Sequence, residues 1–396
     1  MLNHPGFYLV AAFVLLVGCT HPKSKTPGPV EQPPSVSLED DEKDESSETP
    51  EAGKRKLNEK QIREFLEKDP ESAELRFALA LRLHERGELS EAASEYETAI
   101  KLKPKLFQAY FNLGMLYLSQ ENWEKAYNAF KRGSNVDPKH FYTLMNMALC
   151  AVRMNDLEAA QGAYDMAARV NPEDGKPDFF LGRIREEKKN YKLAMQSYDS
   201  ALAKGFDSSE MRLRRGLILM TWKNHDRALE EFKKALEKDP ENALAHRQAG
   251  AILVHRKQWD DALPHLKKAT DVEPESPAAQ YNLGLAALNL EKTTLAEKAF
   301  SAAHTQDPKN HMARIGLGVA ALYNDNHESA RNHIRAALSR NRKLWGFLPE
   351  HFNPLVDKGK LQSAVILLEE LIRVRPQPVF RKNLKIIKQR LKSGAM

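Results

Sequence analysis

The sequence predicts an all-α superhelical solenoid of about nine stacked helical hairpins with a capping helix at each end. Prolines recur on a strict 34-residue grid, at 70, 104, 138, 172, 240, 274, 308 and 376. Alanine occupies every point of a second grid with the same period, from 92 to 364. Gly or Ala also stands twelve residues before eight of these alanines, at 80, 114, 148, 182, 216, 250, 284 and 318. An internal period of this length indicates a stack of equivalent supersecondary units.

Residues 1–18 are predicted to be a signal peptide. The apolar run from Phe7 to Val17 is too short to span a bilayer, and small residues follow it. Leu16-Val17-Gly18-Cys19 resembles the lipobox of bacterial lipoproteins, although residues 1–6 contain no Lys or Arg. The resemblance implies that Cys19 is acylated, for example with palmitate, and Thr20 beside it favours the outer membrane. The alternative is an ordinary cleaved signal peptide with a chance cysteine.

Residues 19–56 are predicted to be a lipidated, disordered tether. After the cysteine this stretch contains six prolines, no aromatic residue and an acidic run from Glu39 to Glu51. It therefore offers too little apolar surface to offset the entropy lost on ordering. The net charge of the chain, +6, is correspondingly uneven, because residues 1–51 carry −6 and the remainder +12.

Residues 57–72 are predicted to form an N-terminal capping helix, since Asn58 and Gln61 are spaced as a capping box for a helix over 59–68. The repeats then fill 73–376. We number each repeat from position 1, with starts at 73, 107, 141, 175, 209, 243, 277, 311 and 345. The small residues fall at positions 8 and 20, on two different helices, where a missing side chain allows two backbones to approach. Proline at position 32 ends the second helix.

This pattern resembles the tetratricopeptide repeat. Tyr110-Phe111-Asn112-Leu113-Gly114, Ala126, Phe130 and Pro138 match the signature of that family, and the resemblance covers 73–376. The period of 34 also separates the chain from the related RNA-binding repeats, which run at 35. We therefore expect no nucleic-acid partner despite the basic solenoid.

Two repeats depart from the pattern. Repeat four ends in Gly205-Phe206, where glycine can stop the helix in place of proline. Repeat nine has Pro349 and Pro354 in its nominal first helix, and Asn353-Pro354 is interpreted as the N-cap and first turn of a shortened helix. Residues 377–396 are predicted to be a basic C-terminal cap, with a helix over 379–392.

No enzyme, metal or cofactor signature is present in the sequence. Two cysteines and thirteen scattered histidines exclude the usual cysteine-rich zinc motifs. Almost every residue from 57 to 396 belongs to a repeat, which leaves little chain for an active site. The remote alternative is an enzyme with an unrecognised site near Trp345–Pro354.

The tetratricopeptide resemblance implies a peptide-binding groove along the first helices, at positions 2, 5, 9 and 12. Position 9 reads Leu, Met, Leu, Arg, Leu, Ala, Leu and Val, so the groove is expected to be largely apolar. The alternative is that these residues partly pack between repeats. The expected groove residues are Phe77, Phe111, Met115, Leu118, Tyr142, Met145, Leu149, Phe179, Leu213, Leu217, Tyr281, Leu285 and Ile315. The family's carboxylate clamp is not matched.

These features predict a lipid-anchored scaffold that binds peptides or amphipathic helices and faces the periplasm from the outer membrane. The chain resembles tetratricopeptide lipoproteins that help pilus secretins assemble, and also those that recruit peptidoglycan hydrolases or proteases. The segment from Ile372 to Lys392 has eight Lys and Arg and no acid. It is either a solvated helix face or a contact for anionic lipid or a wall polymer.

Overall fold

The computed structural model describes residues 57–393, in which the chain forms 20 α-helices, two short 3-10 helices and no strand. The first helix, α1 (Glu59–Lys68), begins at the predicted capping box. The Asn58 side chain accepts a hydrogen bond from the Gln61 backbone N–H (2.9 Å), and the Gln61 side chain accepts one from the Asn58 backbone N–H (3.0 Å). The predicted all-α repeat solenoid is confirmed.

Eight regular hairpins follow, and the helices keep the 34-residue period. Their bounds, as pairs, are α2 (Ala73–Glu85) and α3 (Leu89–Leu102), α4 (Phe107–Ser119) and α5 (Trp123–Val136), α6 (Phe141–Arg153) and α7 (Leu157–Val170), α8 (Lys176–Glu187) and α9 (Tyr191–Ala203), α10 (Ser209–Thr221) and α11 (His225–Lys238), α12 (Ala243–His255) and α13 (Trp259–Val272), α14 (Pro277–Asn289) and α15 (Thr293–Gln306), and α16 (His311–Tyr323) and α17 (His327–Arg340).

The repeated small residues allow the two helices of each hairpin to touch. A Cβ atom on Gly114 would lie 2.6 Å from the ring of Phe130, which is itself fully buried. The alanines at position 20, such as Ala126 and Ala160, are also fully buried. The aromatic or branched residue at position 24 therefore fills the space that the small residue at position 8 leaves open.

The turn between the two helices of every hairpin contains one residue in the left-handed conformation, always at position 15. Glycine holds this place in repeats one and nine, as Gly87 (φ 80°) and Gly359 (φ 70°). The other seven turns use the non-glycine residues Glu121, Asn155, Lys189, Lys223, Lys257, Glu291 and Asp325, with φ between 55° and 61°. The remaining glycine with positive φ, Gly205, follows α9 and ends repeat four as predicted.

Repeat nine is irregular. Two 3-10 helices, Arg342–Phe347 and Pro349–His351, precede the short helix α18 (Phe352–Asp357). The prediction that Asn353 caps this helix is wrong, because His351 is the N-cap and Asn353 lies inside the first turn. Pro354 is accommodated there since a first-turn residue needs no intrahelical N–H donor. The repeat closes with α19 (Leu361–Val374), and α20 (Pro378–Ser393) is the terminal helix.

The described residues divide into two compact units, 57–207 and 208–393, which we call the N-terminal and C-terminal units. The division falls just after Phe206, a grid point that lacks proline. Within the described residues no helix combines the length and apolar character needed to cross a membrane. The predicted signal peptide, Cys19 and the tether lie outside the described residues.

Candidate functional site

The predicted groove residues lie on the first helices of the hairpins, and the structure separates them into two groups. Seven are buried, each with less than a tenth of its surface exposed, which corrects their assignment to the groove: Phe77, Phe111, Leu118, Met145, Leu149, Phe179 and Ile315. Six are half-buried and remain candidates: Met115, Tyr142, Leu213, Leu217, Tyr281 and Leu285.

In repeats one to four, position 5 is buried because it packs against the ring at position 24 of its own hairpin, whereas Leu213 and Tyr281 at the same position are half-buried. The ring centroids of Phe77 and Tyr96 are 5.8 Å apart, and those of Phe179 and Tyr198 are 6.1 Å apart. Met145 follows the same rule without an aromatic ring, and only 1% of its surface is exposed. In these repeats position 5 therefore belongs to the hairpin core, where each side chain contributes to stability through apolar burial.

In the N-terminal unit, Met115 and Tyr142 form an accessible apolar wall together with the half-buried Leu81 and Val152. All four lie at positions 2, 9 or 12 of the first helices of repeats one to three. We call these four residues the inner wall. Met115 and Tyr142 pack on the core cluster of repeats two and three and keep part of their surface in solvent.

Two asparagine amides lie in the same helices and have unused hydrogen-bonding capacity. Asn146 is 2% exposed, and its Nδ2 donates to the Sδ of Met115 at 3.4 Å. The Oδ1 of Asn146 and the Nδ2 of Asn112 are buried without a hydrogen-bond partner. Since an unpaired buried polar atom is costly, a hydrogen bond to either amide would be stabilising.

An aromatic cluster adjoins the inner wall. The ring of His140 lies 4.7 Å from that of Phe107 and 5.1 Å from that of Phe111, and Tyr142 is 6.1 Å away. His140 also caps α6, because its Nδ1 accepts from the Thr143 backbone N–H at 3.2 Å. Burial lowers the pKa of His140, so its imidazole is neutral near pH 7.

In the C-terminal unit, repeat nine lies against the turn of repeat seven and the first helix of repeat eight. The Tyr323 hydroxyl is 3.4 Å from His351 Nδ1, and Lys358 Nζ is 2.5 Å from Glu291 Oε2. Burial raises the pKa of Tyr323 to about 12, and Glu291 and Glu350 add to the rise. In repeat eight Ile315 and Val319 have no exposed surface, so this part of the unit offers little room for a partner.

The segment Trp345–Pro354, considered above as a possible catalytic site, is engaged in packing. The guanidinium of Arg375 lies 4.5 Å from the centre of the Trp345 ring. His351 is buried, which lowers its pKa to about 4, and its ring stands 5.1 Å from that of Phe347. Leu348 and Leu355 are fully buried. These contacts give the segment a structural role in closing the repeat array.

Cys150, the one cysteine among the described residues, is fully buried on α6. Burial raises the pKa of its thiol to about 12, so it stays protonated and weakly nucleophilic. Within residues 57–393 no group of three or more His, Cys, Asp or Glu is arranged to hold a metal ion.

The terminal helix α20 places Phe380 and Ile387 inward and leaves Val379 and Ile386 51% and 43% exposed. Lys388 pairs with Glu369 at 2.9 Å. The other cations of this helix form no ion pair with a described residue: Arg381, Lys382, Lys385, Arg390 and Lys392. Leu391, near the end of the helix, is 39% exposed.

Sequence reasoning missed one cluster, formed by His304, His311, Arg314 and His333 in repeats seven and eight. Each contributes a buried nitrogen atom without a hydrogen-bond partner. The repeat numbering contains the signal that could have found it. Positions 4 and 23 hold Arg and Glu in repeats one and five, whereas in repeat eight they hold Arg314 and His333.

Comparison with protein-family models gives matches described as TPR repeat and tetratricopeptide repeat. The matched stretches are 80–121, 107–140, 145–210, 197–243, 213–271 and 253–311, and together they cover more than half of the chain. No curated protein matches the sequence significantly.

Several solved structures are similar at low identity. YrrB, described as a TPR protein with an unusual peptide-binding site, is 23% identical, with 47% of this chain and 96% of that chain covered and a TM-score of 0.43. A tetratricopeptide repeat protein from Parabacteroides merdae is 17% identical, with coverage of 65% and 98% and a TM-score of 0.41. Pseudomonas aeruginosa pilF is 21% identical, with coverage of 47% and 84% and a TM-score of 0.39.

Proposed function

Because the chain belongs to the tetratricopeptide repeat family, we propose that it is a lipid-anchored adaptor that helps assemble a protein complex of the bacterial cell envelope. The general role is that of a protein–protein interaction scaffold. The finer proposal concerns its anchor, its location and the chemistry of its partner.

The inner wall carries the proposal about the partner. Met115 and Tyr142 are large apolar side chains that remain half-exposed on adjacent first helices. A groove lined in this way suits a peptide or an amphipathic helix that presents an apolar stripe. Methionine adapts its shape to irregular partners, and movement of Met115 would free the amide of Asn146 for a partner backbone group.

The lipobox-like end of the signal segment supports the proposed anchor. Acylation of Cys19 would hold the chain at the outer membrane, most simply on its periplasmic side, while the proline-rich residues 20–56 separate the repeats from the bilayer. Of the two assembly roles, we favour a pilus or secretin complex. Recruitment of peptidoglycan hydrolases or proteases is the second candidate, since both need the same anchored groove.

The basic face of α20 is a second proposed contact. Its five cations without a described partner and the exposed Val379 and Ile386 would suit anionic lipid or an anionic wall polymer. A solvated helix face is the alternative for this surface.

Three methionines in adjacent repeats provide a matched test of the groove. Met115 is half-buried on the inner wall, Met145 is 1% exposed in the core, and Met166 is 41% exposed on the second helix of repeat three. Each is changed to Glu in the full-length chain. Partner recovery from cross-linked membranes is measured beside the thermal midpoint of unfolding.

We expect Met115→Glu to lose most of the partner with a small change in midpoint, because the charge is desolvated only in the complex. Met145→Glu should lower the midpoint by several degrees, since it buries an unpaired charge in the free protein. Met166→Glu should change neither quantity. Unchanged partner recovery by folded Met115→Glu protein would rule out the inner wall as the binding surface.

A further inference from the structure

Two positions of the repeat face each other across the hairpin, one on each helix. In repeat one they hold Arg76 and Glu95, whose side chains form an ion pair at 3.1 Å. In repeat five they hold Arg212 and Glu231, paired at 3.2 Å. Positions 4 and 23 therefore face each other across the hairpin, and in repeats one and five a carboxylate there neutralises an arginine.

Repeat eight has the arginine without the carboxylate. Position 4 is Arg314, and position 23 is His333. Arg314 forms no ion pair with any residue in the described part of the chain, and its Nε is buried without an acceptor. The guanidinium thus lacks the negative partner that the same position has in repeats one and five.

Three histidines surround this arginine. The ring centroids of His304 and His333 are 6.5 Å apart and nearly perpendicular, and both rings feel the charge of Arg314. His311, at the start of α16, lies close enough to affect the titration of His304. The Nδ1 atoms of all three histidines are buried without a hydrogen-bond partner.

The chemistry of the cluster selects the class of ligand. A metal ion is disfavoured because the permanent charge of Arg314 would repel it, and the three histidines are not arranged to hold one. A guanidinium and imidazoles are instead the donors that bind phosphoryl and carboxylate groups. All four residues are half-buried, so solvent and solutes can reach the edge of the cluster.

We propose that Arg314, His304, His311 and His333 form an oxyanion-binding site on repeats seven and eight. The oxyanion takes the place of the carboxylate that Glu95 and Glu231 supply in repeats one and five. It is either a phosphoryl group or the carboxylate of an acidic side chain of a partner, and the test below separates these sources.

Binding should be tighter at lower pH. Burial, and then the charge of Arg314, lower the pKa of His304 and of His333, so both rings are neutral near pH 7. A bound anion favours the imidazolium form and so couples binding to proton uptake. Asp307 acts on His304, and Glu297 acts on His333, in the same direction as the anion. Both carboxylates already accept other hydrogen bonds, from the Lys309 backbone N–H at 3.1 Å and from Asn324 Nδ2 at 2.5 Å.

The test uses the full-length chain in sodium phosphate, acetate and chloride at equal ionic strength, at about pH 6 and about pH 8. The readouts are the thermal midpoint and the NMR signals of the histidine Cε1–H groups. At ten times its dissociation constant, an anion shifts the unfolding equilibrium about eleven-fold, which corresponds to a rise of about 3–6 °C for a unit of this size. We expect this rise in phosphate, with the larger value at the lower pH.

Two variants and a control make the result specific. His333→Glu restores the pair of repeats one and five, so it should melt higher than wild type in chloride and lose the response to phosphate. Arg314→Gln should lose the response without that gain. Arg76→Gln breaks an internal ion pair in repeat one and should keep the full response to phosphate.

A rise in phosphate alone identifies a phosphoryl ligand, and an equal rise in acetate identifies a carboxylate; both support the site. Equal midpoints and unchanged histidine signals in all three salts would overturn the proposal, because water would then be the partner of these nitrogens. A phosphate response that survives in both His333→Glu and Arg314→Gln would overturn it as well.

Discussion

Gly182 and Tyr198 touch across the hairpin of repeat four, so closely that a Cβ atom on Gly182 would lie 2.3 Å from Cε1 of the ring. The ring cannot move aside easily, because it is fully buried and its hydroxyl donates to Glu186 Oε2 at 2.7 Å. This contact shows why position 8 of the repeat holds a small residue.

We therefore expect Gly182→Ala to destabilise the protein by about 1–3 kcal/mol through overpacking. Gly162 provides the matched control, since it lies in helix α7 and a Cβ there would meet nothing within 4 Å. Gly162→Ala should stabilise by about 0.5–1 kcal/mol, because glycine is unfavourable inside a helix. Urea unfolding measures both changes, and equal effects of the same sign would contradict the packing interpretation.

The histidine pair of repeat six should make stability depend on pH. The Nδ1 atoms of His246 and His265 are 2.8 Å apart, a contact that requires one of them to be unprotonated. Burial, and then His246 and Lys233, lower the pKa of His265, while Asp261 acts in the opposite direction. Below about pH 6.5 the unfolded chain therefore binds more protons than the folded one, and stability is lost as the pH falls.

The double change His246→Arg and His265→Glu installs the pair found in repeat five. It should flatten the fall in unfolding free energy between about pH 7.5 and pH 5.5. The slope decreases by up to about 1.4 kcal/mol per pH unit for each bound proton by which the unfolded and folded chains no longer differ. Other buried histidines, such as His351, keep a residual slope. Denaturant titrations in chloride at several pH values provide the measurement. A slope as steep as that of wild type would show that this pair does not contribute.

The anchor is tested by Cys19→Ser. Without an acyl group, the only remaining membrane contact proposed for the protein is the basic face of α20. One contact of moderate strength should not hold the protein on a membrane. We expect the variant to appear unprocessed or in the soluble periplasmic fraction. Mass spectrometry of the wild-type N-terminus provides the independent check. Full retention of the variant in the outer-membrane fraction would exclude lipidation as the anchor.

The sequence predicts the hairpins closely because the same physical constraint is repeated along the chain. Each small residue at position 8 must face a large residue at position 24, and each second helix must stop before the next repeat begins. A single proline or glycine would be weak support for a helical hairpin, whereas the same residue recurring every 34 positions identifies the length of the repeat. The start of α1 was predictable for a similar reason, since Asn58 and Gln61 act locally.

The groove was predicted less well. Helical periodicity gives the direction of a side chain relative to its own helix, but burial also depends on the second helix and on the next repeat. Met145 and Met115 both lie on the predicted groove face, yet Met145 is in the core and Met115 is half-exposed. Ile315 is buried in repeat eight, which repeat nine contacts through irregular 3-10 turns that no periodic pattern describes.

The left-handed residue at position 15 has a mechanical consequence. An L-residue in this conformation is strained by about 1–2 kcal/mol relative to the right-handed form, and glycine is not. Seven hairpins carry this strain at exposed sites such as Lys189 and Glu121, while Gly87 and Gly359 relieve it in repeats one and nine. The unfolding free energy of each hairpin can therefore be adjusted separately, by substitution of one surface residue remote from the hairpin core. Such changes would alter how readily individual hairpins unfold without changing the residues that pack in the hairpin core.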